Sequence, residues 1–206
     1  MMATRTLYRP VGLKEAELIL SSECSGFPPR LPDQPIFYPV MNAPYARQIA
    51  RGWNTPDPGS GYSGFVTEFD VSTVYLEQFE VRTVGAGMHQ ELWVPAEQLG
   101  EFNRRILGPI RFTEAYYGRQ YRGPETKLGI PLAEQLRALR SLTGLDVKAH
   151  RALVLFNFAW WSTAPAEAQG LSDAEKFEGL DQLRRAWMKA FSKWPLPVPG
   201  EAETSE

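Results

Sequence analysis

Apolar and polar residues alternate in several short stretches of the first 118 residues, which is a pattern typical of β-strands. In residues 65–71, for example, Phe65 and Phe69 alternate with Glu68 and Asp70. A period of two places one set of side chains on a buried face of a sheet and the other set towards solvent. The same pattern predicts strands at residues 6–11, 36–41, 65–71, 79–84, 90–94 and 110–116.

Apolar residues with helical spacing predict three helices among these strands. One helix is predicted over residues 13–22, and Asn42 is a good N-cap for a second that reaches Trp53. Pro95 fits the first turn of a third, which continues to residue 106. The resulting order is β-α-β-α-β-β-β-α-β. Because strands cluster after two helices, we predict an α+β fold.

The pattern becomes helical after Gly118. Long apolar stripes predict helices over residues 132–142, 146–161 and 173–194, and Pro195 ends the last of them. We therefore divide the chain into an α+β domain, a polar linker, a helical extension that packs on the domain, and a disordered acidic tail. Their predicted ranges are 1–118, 119–130, 131–194 and 195–206.

Composition narrows the class of protein. The chain has 206 residues, is 43% hydrophobic and carries a net charge of −2, values that suit a folded core and disfavour a nucleic-acid partner. The single cysteine, Cys24, has no internal partner for a disulfide, which favours a reducing compartment. The sequence also lacks a signal-like segment and an apolar run of membrane-spanning length. We predict a cytoplasmic protein without a membrane partner.

Several short catalytic motifs are absent from the sequence, and this limits the kinds of catalysis that we expect. The sequence contains no P-loop, zincin, nucleophile-elbow or paired CxxC motif. His89 and His150 are the two histidines, and no spaced carboxylate cluster accompanies them, so we predict no metal site. Any catalysis is expected to rest on carboxylate, arginine and aromatic side chains.

Four runs of the sequence resemble a known family. They are LYRPVG, FPPRLPDQPIFYPV, ARQIARGWNT and HQELWVPAEQLGEFN. They are similar to small bacterial proteins labelled ADP-ribosylation/crystallin J1, and through them to the ADP-ribosyltransferase-like fold. The resemblance covers about residues 6–117 and leaves out the helical extension. It implies a split, mixed and antiparallel sheet, with NAD as a substrate and no metal.

The resemblance also implies two catalytic residues. Arg9 would contact the ribose or the phosphates of NAD, and Glu91 would hydrogen-bond the ribose 2′-hydroxyl. A fixed carboxylate in a dry cleft stabilises the positive charge that develops on the sugar as nicotinamide leaves. From the residues alone, Glu91 also fits a surface carboxylate of an edge strand, and Arg9 also fits a surface residue paired with an acid.

Aromatic residues and a histidine complete the implied NAD site. Tyr8 adjoins Arg9, and either Phe37 or Tyr38 would wall the nicotinamide. His89 is two residues before Glu91, so it lies on the same strand face and would orient the acceptor. The same aromatic residues also fit a hydrophobic core.

Two functions remain open at this point. The first is an ADP-ribosyltransferase or NAD glycohydrolase, which cleaves the nicotinamide glycosidic bond and passes ADP-ribose to an unknown acceptor. The second is a non-catalytic module of the same fold that binds a protein partner through its cleft or its helical extension. The first requires the side chains of Arg9 and Glu91 to point to the same face of the sheet.

Overall fold

The alternating stretches form two small β-sheets, and the chain folds as an α+β protein. A computed structural model describes residues 3–85, 87–126, 129–140 and 146–201. The strands are Thr4–Val11 (β1), Ile36–Phe37 (β2), Ser63–Ser72 (β3), Glu80–Thr83 (β4), Gln90–Pro95 (β5), Ile106–Tyr117 (β6) and Val198–Pro199 (β7).

Seven α-helices accompany these strands in the described part of the chain. They are Leu13–Ser21 (α1), Ala43–Ile49 (α2), Thr73–Leu76 (α3), Leu99–Arg104 (α4), Leu132–Arg140 (α5), Arg151–Thr163 (α6) and Asp173–Ala190 (α7). Asn42 caps α2 as expected, because its side chain accepts a hydrogen bond from the backbone N–H of Tyr45 at 2.9 Å. A π-helical turn, Ala50–Asn54, continues α2. None of the described helices is long and apolar enough to cross a membrane.

The two sheets differ in strand direction and meet through one residue. The first sheet has the order β1-β3-β6-β7 and is mixed, since only the β6–β7 pair is parallel; the second, β2-β5-β4, is antiparallel. Val40 joins them by pairing with Tyr8 of β1 and with Glu91 of β5. The expected strand 36–41 is thus reduced to β2 and this bridge, because Val40 pairs with two different strands.

The first sheet has two different faces. Directly paired residues of antiparallel strands share a face, so Tyr8, Val40 and Glu91 lie on one side. Helix α2 packs on that side, which we call the α2 face; Tyr45 belongs to the buried cluster there. The opposite side, the core face, carries residues such as Leu7 and faces the main hydrophobic core.

The helical segment shares that core with the sheet. Phe156 of α6 packs against Phe65 of β3 with ring centroids 5.2 Å apart. Within the expected polar linker, Tyr121 joins the core: it is buried, and its hydroxyl donates to Asn157 Oδ1 at 2.7 Å. Helix α6 begins at Arg151 and not at residue 146, because the chain first forms a turn.

The segment after α7 is ordered where disorder was expected. Strand β7 pairs in parallel with Glu114 and Ala115 of β6, and the N–H of Gly200 donates to the carbonyl of Ala115 at 2.8 Å. A Cβ at Gly200 would lie 2.1 Å from the Tyr116 ring, so only glycine fits. The expectation of disorder from residue 195 is wrong for this strand, because the free edge of β6 gives it backbone partners. Residues 202–206 lie outside the described part of the chain.

Candidate functional site

The two catalytic candidates lie on opposite faces of the sheet. Glu91 shares the α2 face with Tyr8 through their pairing with Val40. Arg9 follows Tyr8 in the same strand and is paired with Thr67, so its side chain leaves the sheet on the core face. The structure therefore does not bring Arg9 and Glu91 together.

Arg9 is buried and is paired with a carboxylate. Its Nε and Nη2 atoms donate to the two oxygens of Glu15 at 2.7 and 3.1 Å, and Nη1 donates to the Tyr38 carbonyl at 3.3 Å. The guanidinium also lies 4.8 Å from the centroid of the Phe37 ring. The side chain is 10% exposed, and its bidentate pair with Glu15 compensates the charge of Arg9 within the protein. This is the acid-paired alternative that the sequence left open, in a buried form.

A cleft opens beside this ion pair. Its volume is about 500 Å³, and its lining comes from three segments, within residues 9–18, 28–34 and 54–60. We call it the α1 cleft, because the first turn of α1 forms one wall. Arg9, Lys14 and Arg30 supply its cationic side chains, and Glu15 and Asp57 supply its carboxylates. A volume of this size is within the usual range for small-molecule sites, about 300–1,000 Å³.

Arg30 is the unusual cation of the cleft. Its Nε atom is buried and has no hydrogen-bond partner. Burial, and then the nearby charge of Arg9, lower the pKa of Arg30. A buried donor without a partner costs free energy unless a water molecule or a ligand completes it. Arg30 is therefore a cleft-lining residue with an unsatisfied hydrogen-bond donor.

The other wall of the cleft packs closely on the start of α1. A Cβ at Gly12 would lie 2.5 Å from the Cα of Ser60, so glycine is needed for this approach. Ser60 Oγ donates to Asp57 Oδ2 at 2.7 Å and accepts a hydrogen bond from Asn54 Nδ2 at 3.0 Å. The remaining atom of that amide, Asn54 Oδ1, is buried and has no partner. The cleft thus contains one unpartnered donor and one unpartnered acceptor.

On the α2 face, Glu91 belongs to a connected polar group. The Tyr45 hydroxyl donates to Glu91 Oε1 at 2.8 Å, and the Tyr45 ring stacks on His89 with centroids 4.4 Å apart. His89 Nε2 is hydrogen-bonded to Gln48 Oε1 at 2.8 Å. Burial, and then the hydrogen bond with Glu91, raise the pKa of Tyr45 to about 12. His89 and Glu91 do share a side of the strand, as their spacing predicts.

The two aromatic candidates, Phe37 and Tyr38, also lie on opposite sides of a sheet. Phe37 is fully buried and packs against Phe27 and Phe102 in the core, so it does not line a site. Tyr38 lies on the other side of the second sheet, where its ring contacts Trp93 at 5.3 Å between centroids. Trp93 precedes Val94 and faces the same way as Glu91, so Tyr38 is the aromatic residue on the side of Glu91.

Tyr8 is half-buried on the α2 face. Burial, and then the charge of Glu68, raise the pKa of Tyr8. Of the residues proposed from sequence, the structure therefore places Tyr8, Tyr38, His89 and Glu91 on one side, and Arg9 and Phe37 on the other.

Sequence analysis missed Arg30 and Asn54. Arg30 lies in the proline-rich segment 26–35, and Asn54 precedes a Thr-Pro pair, so both positions look like ordinary loop residues. No short-range spacing connects them, since 24 residues separate them in the chain. One signal was present: a basic residue amid prolines in a stiff segment that follows α1.

Among the residues that the structure describes, no group of three or more His, Cys, Asp or Glu side chains is placed to hold a metal ion. Comparisons with family models, curated proteins and solved structures find no match to this chain. The functional argument therefore depends on the geometry of the two faces and on the sequence resemblance.

Proposed function

We propose that this protein binds a small molecule carrying an oxyanion, such as a phosphate group, in the α1 cleft. The observation that carries this proposal is the buried, unpartnered Nε of Arg30. An oxyanion in the cleft would accept hydrogen bonds from the Arg30 guanidinium and would offset the repulsion between Arg30 and Arg9. NAD, the substrate that the sequence resemblance implies, carries two phosphate groups and is the first ligand to test.

Calorimetric titration with NAD and with inorganic pyrophosphate tests the proposal. Arg30→Met is expected to weaken binding about tenfold, because it removes a charge-assisted hydrogen bond. Arg82→Met is a matched control: Arg82 is 44% exposed and stacks 3.8 Å over Trp93, outside the cleft. Failure of the wild-type protein to bind either probe, or equal binding by Arg30→Met, would overturn the proposal.

A site built from both Arg9 and Glu91 is excluded, because the two side chains lie on opposite faces. A second candidate function is therefore cleavage of NAD on the α2 face by Glu91 without Arg9. One observation favours it: Tyr45 holds one oxygen of Glu91, while no hydrogen bond to the other oxygen is found among the described residues. Such a carboxylate is oriented and free to accept a bond from the ribose, with Tyr8 and Tyr38 on the same side. In this reaction the glycosidic C–N bond breaks and its electron pair leaves with nicotinamide. Water or an acceptor then bonds to the sugar carbon and loses a proton.

Nicotinamide release from NAD separates the two candidates. We expect Glu91→Gln to abolish the release, because the amide carries no negative charge for the developing cation. Glu97→Gln, a change at an exposed carboxylate just after β5, should leave the rate unchanged. Equal rates in wild type and Glu91→Gln, or no release by the wild type, would exclude catalysis and leave binding in the α1 cleft intact.

A further inference from the structure

Strand β4 has an open outer edge. It lies at the end of the second sheet, and in the described part of the chain it pairs with β5 alone. All of its residues are exposed, from Glu80 to Thr83. The strand contains no proline and no lysine, and its pairing with β5 has no bulge, so three features that commonly block a sheet edge are missing. This edge is therefore accessible to another strand.

The direction of the backbone groups of β4 follows from a hydrogen bond at its end. The N–H of Val84 donates to the carbonyl of His89 at 2.8 Å, so the backbone of Val84 faces the side of β5. In a strand, the N–H and C=O of one residue point to the same side, and those of the next residue point to the other. The N–H and C=O groups of Val81 and Thr83 therefore point to the open edge. No backbone hydrogen bond from these four groups to another part of the described chain is found.

The two charges of β4 select one register for pairing with a second copy of the strand. Two copies related by a two-fold axis pair in antiparallel fashion, and a pairing centred on Val81 places Glu80 opposite the partner's Arg82. Val81 then exchanges two N–H···O bonds with the partner's Val81. Pairing centred on Glu80 or on Arg82 instead places two like charges directly opposite each other, which is unfavourable. The strand is thus complementary to itself in a single register.

The side chains of β4 suit such a contact. Arg82 donates to Glu80 Oε2 at 2.6 Å and lies 3.8 Å from the centroid of the Trp93 ring, so both charges are held on one side of the sheet. On the other side, Val81 is 45% exposed, and pairing would remove part of its apolar surface from water in both copies.

We propose that the open edge of β4 binds a second copy of this chain, by antiparallel pairing centred on Val81. The second sheets of the two copies then form one continuous sheet across a two-fold axis. This interface is separate from ligand binding, because no residue of β4 lines the α1 cleft.

Sedimentation equilibrium of the full chain over a concentration series tests the backbone part of the proposal. The wild type is expected to form a dimer as its concentration rises. Val81→Pro should weaken dimerisation about tenfold, because proline lacks the outward N–H that the partner's carbonyl accepts. The hydrogen bonds between β4 and β5 do not use this N–H, so the sheet itself is retained.

Charge reversal tests the register. Glu80→Lys and Arg82→Glu each place like charges opposite each other, so each variant alone should dimerise about tenfold more weakly than wild type. An equimolar mixture of the two should recover the wild-type association, because each copy then meets the opposite charge at both positions. Asp181→Lys is the matched control, since it reverses one charge of an ion pair with Arg185 on α7. It should dimerise as the wild type does.

The mixture is decisive because misfolded variants would not restore each other's association. Recovery in the mixture alone supports the register. A mixture that stays as weak as its components would overturn the proposal, and so would dimerisation that Val81→Pro leaves unchanged. A wild type that is still monomeric at about 1 mM would overturn it as well. An effect of Asp181→Lys as large as that of Glu80→Lys would exclude β4 as the specific contact.

Discussion

The α1 cleft and the α2 face begin at adjacent residues of β1, yet Arg30 in the cleft and Arg111 on the α2 face differ in their hydrogen bonds. On the α2 face, Arg111 donates to Glu68 at 2.8 Å and to Asp70 at 3.0 Å. In the α1 cleft the Nε of Arg30 and the Oδ1 of Asn54 are buried without partners. Paired groups support the fold, whereas buried unpartnered ones lower stability. This contrast is the reason for proposing the cleft as the binding site.

The largest expected effect is on the Arg9–Glu15 ion pair in the wall of the α1 cleft. Arg9→Met should destabilise the protein by about 3 kcal/mol, because it leaves Glu15, 23% exposed, without its bidentate partner. Urea unfolding measures this, and Arg104→Met at an exposed surface pair should show no measurable change. Adding Glu15→Met to Arg9→Met should recover most of the loss. Unchanged stability of Arg9→Met would show that the pair is not structural.

The second largest loss of stability is expected from disturbing the close packing of Gly12 on Ser60 in the cleft wall. Gly12→Ala should cost about 2 kcal/mol, because the new Cβ overlaps the backbone of Ser60 and must push residues 58–60 away. Gly52→Ala is the control, since nothing lies within 4 Å of its Cβ position. Thermal unfolding should separate the two variants clearly. Equal midpoints would contradict the close approach that shapes the cleft.

Tyr45→Phe tests the hydrogen bond between Tyr45 and Glu91 on the α2 face. Loss of the hydrogen bond to Glu91 should cost about 1 kcal/mol near neutral pH. The pKa of Tyr45 rises to about 12 in the fold, against 10.0 ordinarily, so folding favours the protonated phenol. Its contribution is therefore fully present below pH 10 and is lost as the pH rises towards 12.

The pH dependence of stability provides the check on Tyr45. We expect the advantage of wild type over Tyr45→Phe to shrink between pH 10 and pH 12, as measured by urea unfolding at each pH. The phenylalanine variant is the internal control, because every other alkaline titration is common to both proteins. A constant difference across this range would show that the hydrogen bond to Glu91 does not perturb Tyr45.

Arg30→Met is expected to change stability least, and it is the most direct test of the difference between the α1 cleft and the α2 face. Arg30→Met should leave the free energy of unfolding within about 1 kcal/mol of wild type, or raise it, because it removes a buried donor without a partner. The same variant should lose ligand affinity, as described above. A loss of stability as large as that of Arg9→Met would mean that Arg30 is structural and that the two regions do not differ.

Several parts of the fold and of the site follow from local sequence pattern. A spacing of two predicts that His89 and Glu91 share one side of the strand, and Tyr45 contacts both of them. The N-cap role of Asn42 is confirmed for the same reason, since a cap depends on its immediate neighbours. The resemblance to the transferase family concerned residue types in order along the chain, and order alone does not decide which face each one takes.

Other features depend on contacts between distant residues. The length of β2 is limited by the pairing of Val40 with two different strands, and the tail is ordered because β6 offers it a free edge. Phe37 is a core residue because β2 places it against Phe27 and Phe102, which its own neighbours in sequence do not reveal.

The sequence by itself determined the types of element, the approximate positions of most of them and the α+β class, because period and capping are local properties. Only the tertiary structure decided which polar groups are buried without partners. Arg30 and Asn54 come from loops, and loops take their positions from long-range packing such as Gly12 on Ser60 and Gly64 on Ala50. Burial removes water from polar atoms only once those contacts form, so the cleft is a property of the folded chain.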